Sequence, residues 1–438
     1  MISQAQAIAV ADRWLNPDGV QAPHRRVGIQ EFDLGWVVWA VPPPPERDPV
    51  TGERRPPSEM GNACGVVDRR TGQLSVWPSV PVDEVVRMYQ LKHRGRGGGG
   101  DGNPPVTGPG NTTVVTYLDH TDGTETSLFR NSAPGLPHSE YQAYAELQRM
   151  GVPAQNVLAV HTDLASSELP GGYPGVMLRG AFPNAKFSCT QPYGLRPQER
   201  AEGVAGLLQH VETMHRIAGQ EPPPAPHRTP VPANVTAAEP MSDPDLGRHL
   251  AEAFGGGVLR HAPEVIAGTP LPDASKATLT EAGLPADLPF FFTADRPDAP
   301  PPGGLFTDAA TYLREIGTGA NETVLNTLSG HVRIGSDGVS AITVQCNAPE
   351  HMPTPAGQVW AVPQDAMGRR VNRSVAAFVR SLALLATTRQ RMQGMDPMAA
   401  GTAVAEFQQQ LVAVDPTALE EENGWWTVIV EQMWHGLF

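Results

Sequence analysis

Two stretches rich in glycine and proline interrupt the 438-residue chain, and they set the strongest limit on how it can fold. The first is a glycine run at 94–105, and the second is a proline-dense segment at 220–245. Glycine leaves the backbone too free for a packed element, whereas successive prolines hold it extended without amide donors. A phosphate-binding loop and a proline-rich docking motif are weaker interpretations of the two stretches than linkers. The sequence predicts domains at 1–93, 112–219 and 246–438, joined by linkers at 94–111 and 220–245.

Composition narrows the class of protein. No apolar run reaches about 18 residues, and the first residues lack a basic and then apolar leader, so we expect no membrane contact and a cytoplasmic location. The three cysteines, Cys64, Cys189 and Cys346, fall one in each block, which argues against a disulfide framework. The net charge of -14 repels nucleic acid and favours a basic protein partner.

The first block has the pattern of a small α+β domain. It predicts a helix at 3–15, strands at 27–32, 35–41, 62–68 and 73–78, and a helix at 82–89. Its motifs are G-W-V-V at 35–38, G-N-A-C at 61–64, V-D-R-R-T-G at 67–72 and R-M-Y at 87–89. In this order they resemble the immunity protein 35 family. Cys64 stands at the family's usual proline, and we interpret it as a small buried apolar residue.

The second block alternates strand and helix, the pattern of a sheet with helices on both sides. It predicts a hairpin at 114–129 around Asp122-Gly123, a helix at 139–150, a strand at 156–162, a helix from 175, a strand at 185–190 and a helix at 197–216. Two motifs carry chemistry: His138-Ser139-Glu140, an H-x-E pattern, and the run 162–174, T-D-L-A-S-S-E-L-P-G-G-Y-P. Downstream, F-P-N-A-K-F at 182–187, P-Y-G at 192–194 and R-A-E-G at 200–203 follow.

This combination resembles bacterial toxin-system deaminases, whose second motif has the form T-E-L-E-P-C-x-L-P-G-G-Y-C. The resemblance implies that His138 is a vestigial zinc-ligand position and Glu140 a vestigial general-base position. Ser167 and Pro174 stand where the two cysteines belong. Proline offers no ligand atom and a neutral serine hydroxyl is a poor zinc donor, so we predict no metal, no cofactor and no catalytic residue here. Cys189 is expected on a strand after the second helix, whereas both thiolates belong at the N-terminus of that helix. His161 could approach His138, but two histidines and a serine form a site without an anionic ligand.

The third block predicts a second α+β domain. Its expected elements are a helix at 245–254, strands at 332–335, 341–344 and 357–362, a helix at 372–385 capped by Asn372 or Ser374, and a last helix at 424–433. Its motifs are G-L-P-x-x-L-P at 283–289, I-G-x-D-G at 334–338, V-N-x-S-x-x-x-F at 371–378, and D-P-x-A-L at 415–419 followed by a Trp pair. They resemble the SUKH superfamily of immunity proteins, in its fourth subfamily.

The fold class expected overall is α+β and α/β, with three compact domains. The resemblances imply a non-catalytic immunity protein that binds polymorphic toxin domains, with basic nuclease or deaminase domains as the expected partners. Aromatic anchors are common in such interfaces, and the candidates are Trp36, Trp39, Trp425 and Trp426. Two alternatives stay open: a zinc-dependent nucleotide or nucleic-acid deaminase with a divergent metal site, and a scaffold unrelated to toxins.

Overall fold

The chain forms two compact units, Met1–Asp101 and Gly102–Phe438, and its mixed α+β class is the predicted one. The computed structural model describes residues 2–17, 24–41, 64–69, 71–77, 82, 85–86, 89, 104–119, 121–232, 234–347, 355–365 and 367–438. The predicted domains at 112–219 and 246–438 both lie in the second unit. None of the described helices is both long and apolar enough to cross a membrane.

The first unit is built on an antiparallel sheet with the strand order β1-β2-β3-β4. Its elements are α1 (Gln4–Leu15), β1 (Val27–Phe32), β2 (Gly35–Ala40), β3 (Cys64–Asp68) and β4 (Leu74–Trp77). The hydroxyl of Ser3 accepts the amide of Gln6, and the Gln6 side chain accepts the Ser3 amide, so a capping box begins α1. Four described residues after β4 are helical, namely Val82, Val85, Val86 and Tyr89.

Alternation along the strands gives this sheet two apolar faces. Trp36 and Val38 pack with Ala11 of α1, whereas Val37 and Val66 belong to a separate cluster. Tyr89, Val85 and the buried Cys64 complete that second cluster. The predicted order of helix, hairpins and helix is confirmed over the described residues. The predicted features at 42–63, 70, 78 and 87–88 lie outside them.

The N-terminal part of the second unit, residues 104–219, contains a sheet of order β6-β5-β7-β8. Only β7 and β8 run parallel. The elements are β5 (Thr112–Leu118), β6 (Glu125–Asn131), α2 (Ser139–Arg149), β7 (Val157–Leu164), α3 (Pro174–Ala181), β8 (Lys186–Gln191) and α4 (Pro197–Ile217). Helix α2 contacts β5 and β6, while α4 contacts β7 and β8. The alternation of strand and helix predicted for this region is confirmed.

The C-terminal part, residues 234–438, has an antiparallel sheet of order β11-β12-β13-β14-β15-β16 and a short ribbon of β9 and β10. The strands are β9 (Val258–Leu259), β10 (Leu284–Pro285), β11 (Asp287–Leu288), β12 (Phe292–Ala294), β13 (His331–Ser336), β14 (Ala341–Gln345), β15 (Val359–Val362) and β16 (Arg369–Asn372). The helices are α5 (Asp243–Phe254), α6 (Pro263–Ile266), α7 (Asp273–Ala277), α8 (Ala309–Glu315), α9 (Glu322–Thr327), α10 (Val375–Met392), α11 (Pro397–Val414) and α12 (Trp425–Trp434).

The sequence left two features of these helices unsettled, namely the N-cap residue of α10 and the presence of α11. Of the two proposed caps for α10, Ser374 is the one that accepts a helix amide, that of Ala377 at 3.1 Å. Helix α11 was not predicted at all. Its sequence is rich in alanine and other apolar residues, and some of them, such as Met398 and Ala399, are exposed while Val404 and Phe407 are buried. Because the apolar and polar sides of α11 differ little, its sequence shows no clear helical period.

One apolar core spans both parts of the second unit. Leu164, Tyr193 and Leu207 of the N-terminal part cluster with buried side chains of α10, α11 and α12. The linker 220–245 runs across this unit in irregular backbone, and the amide of Ala238 donates to the Ala413 carbonyl at 2.8 Å. This differs from the expectation of separate domains on linkers, because burying a shared apolar face stabilises the two parts together.

The first predicted linker also has a described portion, residues 104–111. The amide of Val106 donates to His227 at 2.9 Å, and that of Gly108 donates to Trp434 at 2.7 Å. Residues 104–111 are therefore hydrogen-bonded to the rest of the second unit, whereas a flexible joint was expected there. The glycines at 95–100 lie outside the described residues.

Candidate functional site

His138 and Glu140 lie at the N-terminus of α2 and are 3% and 1% exposed. The Nε2 atom of His138 is 2.9 Å from the carbonyl oxygen of Gly171, and since a carbonyl only accepts, Nε2 carries the proton. The ring of Phe438 lies 4.8 Å from the imidazole, centroid to centroid. Burial lowers the pKa of His138 to about 3, so the imidazole is neutral at physiological pH.

The Glu140 carboxyl is held inside a hydrogen-bond network. Its Oε1 accepts from the Asn111 amide at 3.1 Å, and its Oε2 accepts from the Ser139 hydroxyl at 3.2 Å. Asn111 in turn accepts the backbone amide of Leu164 at 2.8 Å, which ties α2 to β7. Burial raises the pKa of Glu140, and the hydrogen bonds to the carboxylate oppose that rise. The arrangement joins structural elements while keeping the carboxyl away from water.

Ser167 and Pro174, the two positions expected to replace zinc cysteines, lie beside each other at the start of α3. Pro174 is the first residue of that helix, a position where its missing amide costs nothing. The carbonyl of Ser167 accepts the amide of Gly175 at 2.8 Å. Its hydroxyl accepts the amide of Leu169 at 3.2 Å, which stabilises the loop. The loop from Ser167 to Pro174 is thus closed by hydrogen bonds of its own backbone and of the Ser167 hydroxyl.

These residues do not fit a zinc ion. A catalytic zinc site needs three protein ligands with nitrogen, thiolate or carboxylate donors, and Pro174 has none. Cys189 is exposed on β8, and both ring nitrogens of His161 are bonded, to Ser188 at 2.9 Å and to Thr190 at 3.1 Å. Among the residues that the structure describes, no group of three His, Cys, Asp or Glu side chains is placed to hold a metal.

An open pocket of about 660 Å³ lies nearby, between α3, β7, β8 and the start of α4. Ser166, Phe187 and Tyr193 line it, together with the ion pair of Arg179 and Glu168. His138 and Glu140 are not among its lining residues. The H-x-E pair therefore lies behind the pocket wall, where Ser166 both lines the pocket and hydrogen-bonds Glu140.

Comparison with known families agrees with this organisation. Residues 5–97 match the family described as immunity protein 35-like domain, residues 108–210 match Xanthomonas-like deaminase, and residues 246–432 match SUKH-4 immunity protein. The chain joins two immunity-like regions to a deaminase-like one. All three predicted resemblances are confirmed, in the predicted order. No curated protein and no solved structure matches the chain.

The tryptophans proposed as surface anchors are mostly core residues. Trp425 and Trp426 of the SUKH-4-like region have no exposed surface, and Trp36 of the first unit is also buried. The indole of Trp425 donates to Asp337 at 2.9 Å, and that of Trp426 donates to Asn372 at 2.9 Å. A side chain buried in this way does not meet a partner, so we correct the prediction for these three. Trp39 is half-buried and stays a candidate.

The residues that sequence reasoning missed join the deaminase-like and SUKH-4-like regions. Arg200 of the R-A-E-G run pairs with Glu431 on α12, with 2.6 Å between Nη2 and Oε2. Within the deaminase-like region, Gly203 of the same run lets α4 approach the segment after β8, since an added Cβ would lie 1.8 Å from the Pro192 carbonyl oxygen. Tyr173 donates to Asp337 at 2.7 Å. The sequence predicted the helix that carries Arg200 and Gly203, which are three residues apart, but it gave no signal of which surface these two residues face.

Proposed function

We propose that this chain is a non-catalytic immunity protein that binds and neutralises polymorphic toxin domains. The observation that carries the proposal is the combination of two immunity-like regions with a deaminase-like region whose zinc-cysteine positions are Ser167 and Pro174. Neutralisation by binding requires no chemistry from the immunity protein. It requires a complementary surface that covers the toxin's active cleft.

The partners proposed are basic toxin domains, nucleases or deaminases, met in the cytoplasm. A chain with a net charge of -14 attracts such partners over a long range and repels nucleic acid. Association should therefore slow as salt is added, because screening weakens the attraction. Trp39 on the first unit is the aromatic anchor that we retain for this role.

The alternative proposal is a deaminase with a divergent metal site, in which Glu140 moves the proton and His138 binds the metal. The presence of a deaminase-like region favours it. Against it stand the burial of both side chains and the hydrogen bond from His138 to the Gly171 carbonyl. A scaffold with no toxin partner is the remaining alternative.

Co-expression with a panel of basic nuclease and deaminase toxin domains tests the three proposals together. We expect the full chain to restore growth against at least one toxin and to co-purify with it. Rescue should survive Glu140→Gln as well as it survives the matched change Glu146→Gln, which lies on the same helix at its surface.

Other outcomes favour the alternatives. Ammonia release from a nucleobase, or stoichiometric zinc, lost in Glu140→Gln or His138→Ala but kept in Glu146→Gln, would establish the deaminase. If the chain neither rescues growth nor forms a complex with any toxin of the panel, the scaffold proposal is favoured.

A further inference from the structure

The SUKH-4-like region holds one short loop of the deaminase-like region, residues 169–173 (L-P-G-G-Y). Gln432 of α12 donates to the Pro170 carbonyl at 2.6 Å. The hydroxyl of Tyr173 donates to Asp337, which also accepts the indole of Trp425. This loop lies between Ser167 and Pro174, the positions that are cysteines in an intact zinc site. The contact is therefore made to the segment that would enclose the metal.

The contact depends on the two glycines of the loop. Gly171 and Gly172 have φ angles of +110° and +117°, which other residues rarely adopt. A Cβ on Gly171 would lie 3.1 Å from Gln432 and 3.4 Å from Phe438, and one on Gly172 would lie 3.3 Å from the Cβ of Phe290. The SUKH-4-like side chains thus fit against bare backbone. Side chains at these positions would strain the backbone and would require Gln432 or Phe290 to shift.

One residue on each side of this contact has a constrained backbone conformation. Among the described residues, three that are not glycine have a positive φ, and two of them, Tyr173 and Phe290, meet here. Such a conformation costs about 1–3 kcal/mol and persists where the surroundings enforce it. The Phe290 ring lies 4.4 Å from that of Tyr141, whose hydroxyl donates to the Gly172 carbonyl. The constrained backbone of Phe290 thus places its ring against Tyr141, which is hydrogen-bonded to the loop.

We propose that Phe290, Asp337, Gln432 and Phe438 form a surface that recognises the P-G-G-Y loop of a deaminase, and that the chain's own deaminase-like region occupies it. The partner that this loop-binding surface fits in trans is a zinc deaminase that retains the same loop between its two metal-binding cysteines. This inference rests on the proposed immunity function. It specifies which toxin class one of the immunity-like regions recognises, and through which segment of the toxin.

Occupation in cis lowers the apparent affinity for a partner in trans, by the fraction of chains whose surface is free. A change that weakens only the internal contact should therefore strengthen binding of the partner. Tyr173→Phe is such a change: it removes the hydrogen bond to Asp337 from the deaminase-like side and leaves the loop-binding surface intact. Gln432→Ala instead changes the surface itself, so it should weaken binding in trans.

The test measures binding of the full chain to a catalytically inactive deaminase domain with an intact L-P-G-G-Y-C loop, by biolayer interferometry. We expect Tyr173→Phe to bind about tenfold more tightly than the unmodified chain. Gln432→Ala, added to Tyr173→Phe, should remove most of that gain. Tyr144→Phe is the matched control, since Tyr144 packs on Phe182 inside the deaminase-like region, and it should change affinity less than twofold. Circular dichroism checks that each variant is folded.

A second variant changes the probe instead of the chain. Its result therefore does not depend on whether the chain folds normally with Tyr173→Phe. Replacing the first glycine of the probe's P-G-G by alanine should weaken its binding at least tenfold. If Tyr173→Phe binds no more tightly, or the alanine probe binds as well as the original, the inference is wrong. If nuclease toxins bind and deaminases do not, the inference alone fails. If no toxin of any class binds, the proposed function fails with it.

Discussion

Replacing Arg200 by methionine tests whether the deaminase-like and SUKH-4-like regions are one cooperative unit. The Arg200 side chain is 0% exposed and that of Glu431 is 11% exposed. Arg200 also donates to the Leu195 carbonyl at 2.6 Å and to the Asn423 side chain at 3.3 Å. Arg200→Met removes the paired cation of the buried Glu431 carboxylate and one donor each from the Leu195 carbonyl and the Asn423 side chain. Removing one partner of a buried pair costs about 3–5 kcal/mol.

The cost should fall near the lower end of that range. Arg228, on the segment between the two regions, interacts electrostatically with Glu431 and remains after the substitution. We therefore expect Arg200→Met to lower the free energy of unfolding by about 3 kcal/mol. Arg179→Met is the matched control, because the Arg179–Glu168 pair is 52% and 47% exposed and such pairs contribute about 0–1 kcal/mol.

Hydrogen–deuterium exchange in increasing urea measures the effect in each region separately. If the unit is cooperative, β7 and β14 lose protection together, although Arg200 belongs to the deaminase-like side. The double variant Arg200→Met/Glu431→Leu should recover most of the loss, since replacing both charges by apolar groups is close to neutral. A loss confined to β7, or a cost no larger than that of Arg179→Met, would refute the reasoning.

Three further predictions follow from the described contacts. Burial holds the pKa of His138 and of His435 at about 3, below the ordinary 6.5, so below pH 6.5 the unfolded chain binds protons that the folded chain does not. Urea titrations should therefore show a constant free energy of unfolding above pH 6.5. Below that pH it should fall by up to about 1.4 kcal/mol per pH unit for each histidine. Gly172→Ala should cost about 2–3 kcal/mol by the same titration, and more than Gly151→Ala, because Gly172 has Phe290 beside it while Gly151, also at positive φ, has nothing within 4 Å. Trp425→Phe, which removes a donor from the buried Asp337, should lower the melting temperature. Trp39→Phe, which keeps a ring against the apolar cluster of the first unit on which Trp39 packs, should weaken a toxin complex and lower the melting temperature less than Trp425→Phe does.

Local patterns predicted the elements well where the side chains alternate or repeat clearly. The strands of the first unit, the D-G hairpin at 122–123 and the helix capped by Ser374 all follow from short-range rules that involve a few neighbouring residues. The H-x-E and P-G-G-Y motifs located the candidate site for the same reason. Helix α11 was not predicted because apolar residues such as Met398 and Ala399 also occupy exposed positions, which weakens the contrast between its apolar and polar sides.

Long-range pairing is what the sequence left open. A proline-rich segment predicts extended backbone, but nothing in 220–245 says whether that backbone spans solvent or lies along a folded surface, as the bond from Ala238 to Ala413 places it. Arg200 similarly resembles any helical arginine until α12 brings Glu431 against it. Phe438 packs on His138 and Asp337 accepts from Tyr173, so a neighbouring region stabilises the loop from Ser167 to Pro174. On the proposal that Ser167 and Pro174 replace zinc cysteines, a loop stabilised in this way needs no ion to hold its shape.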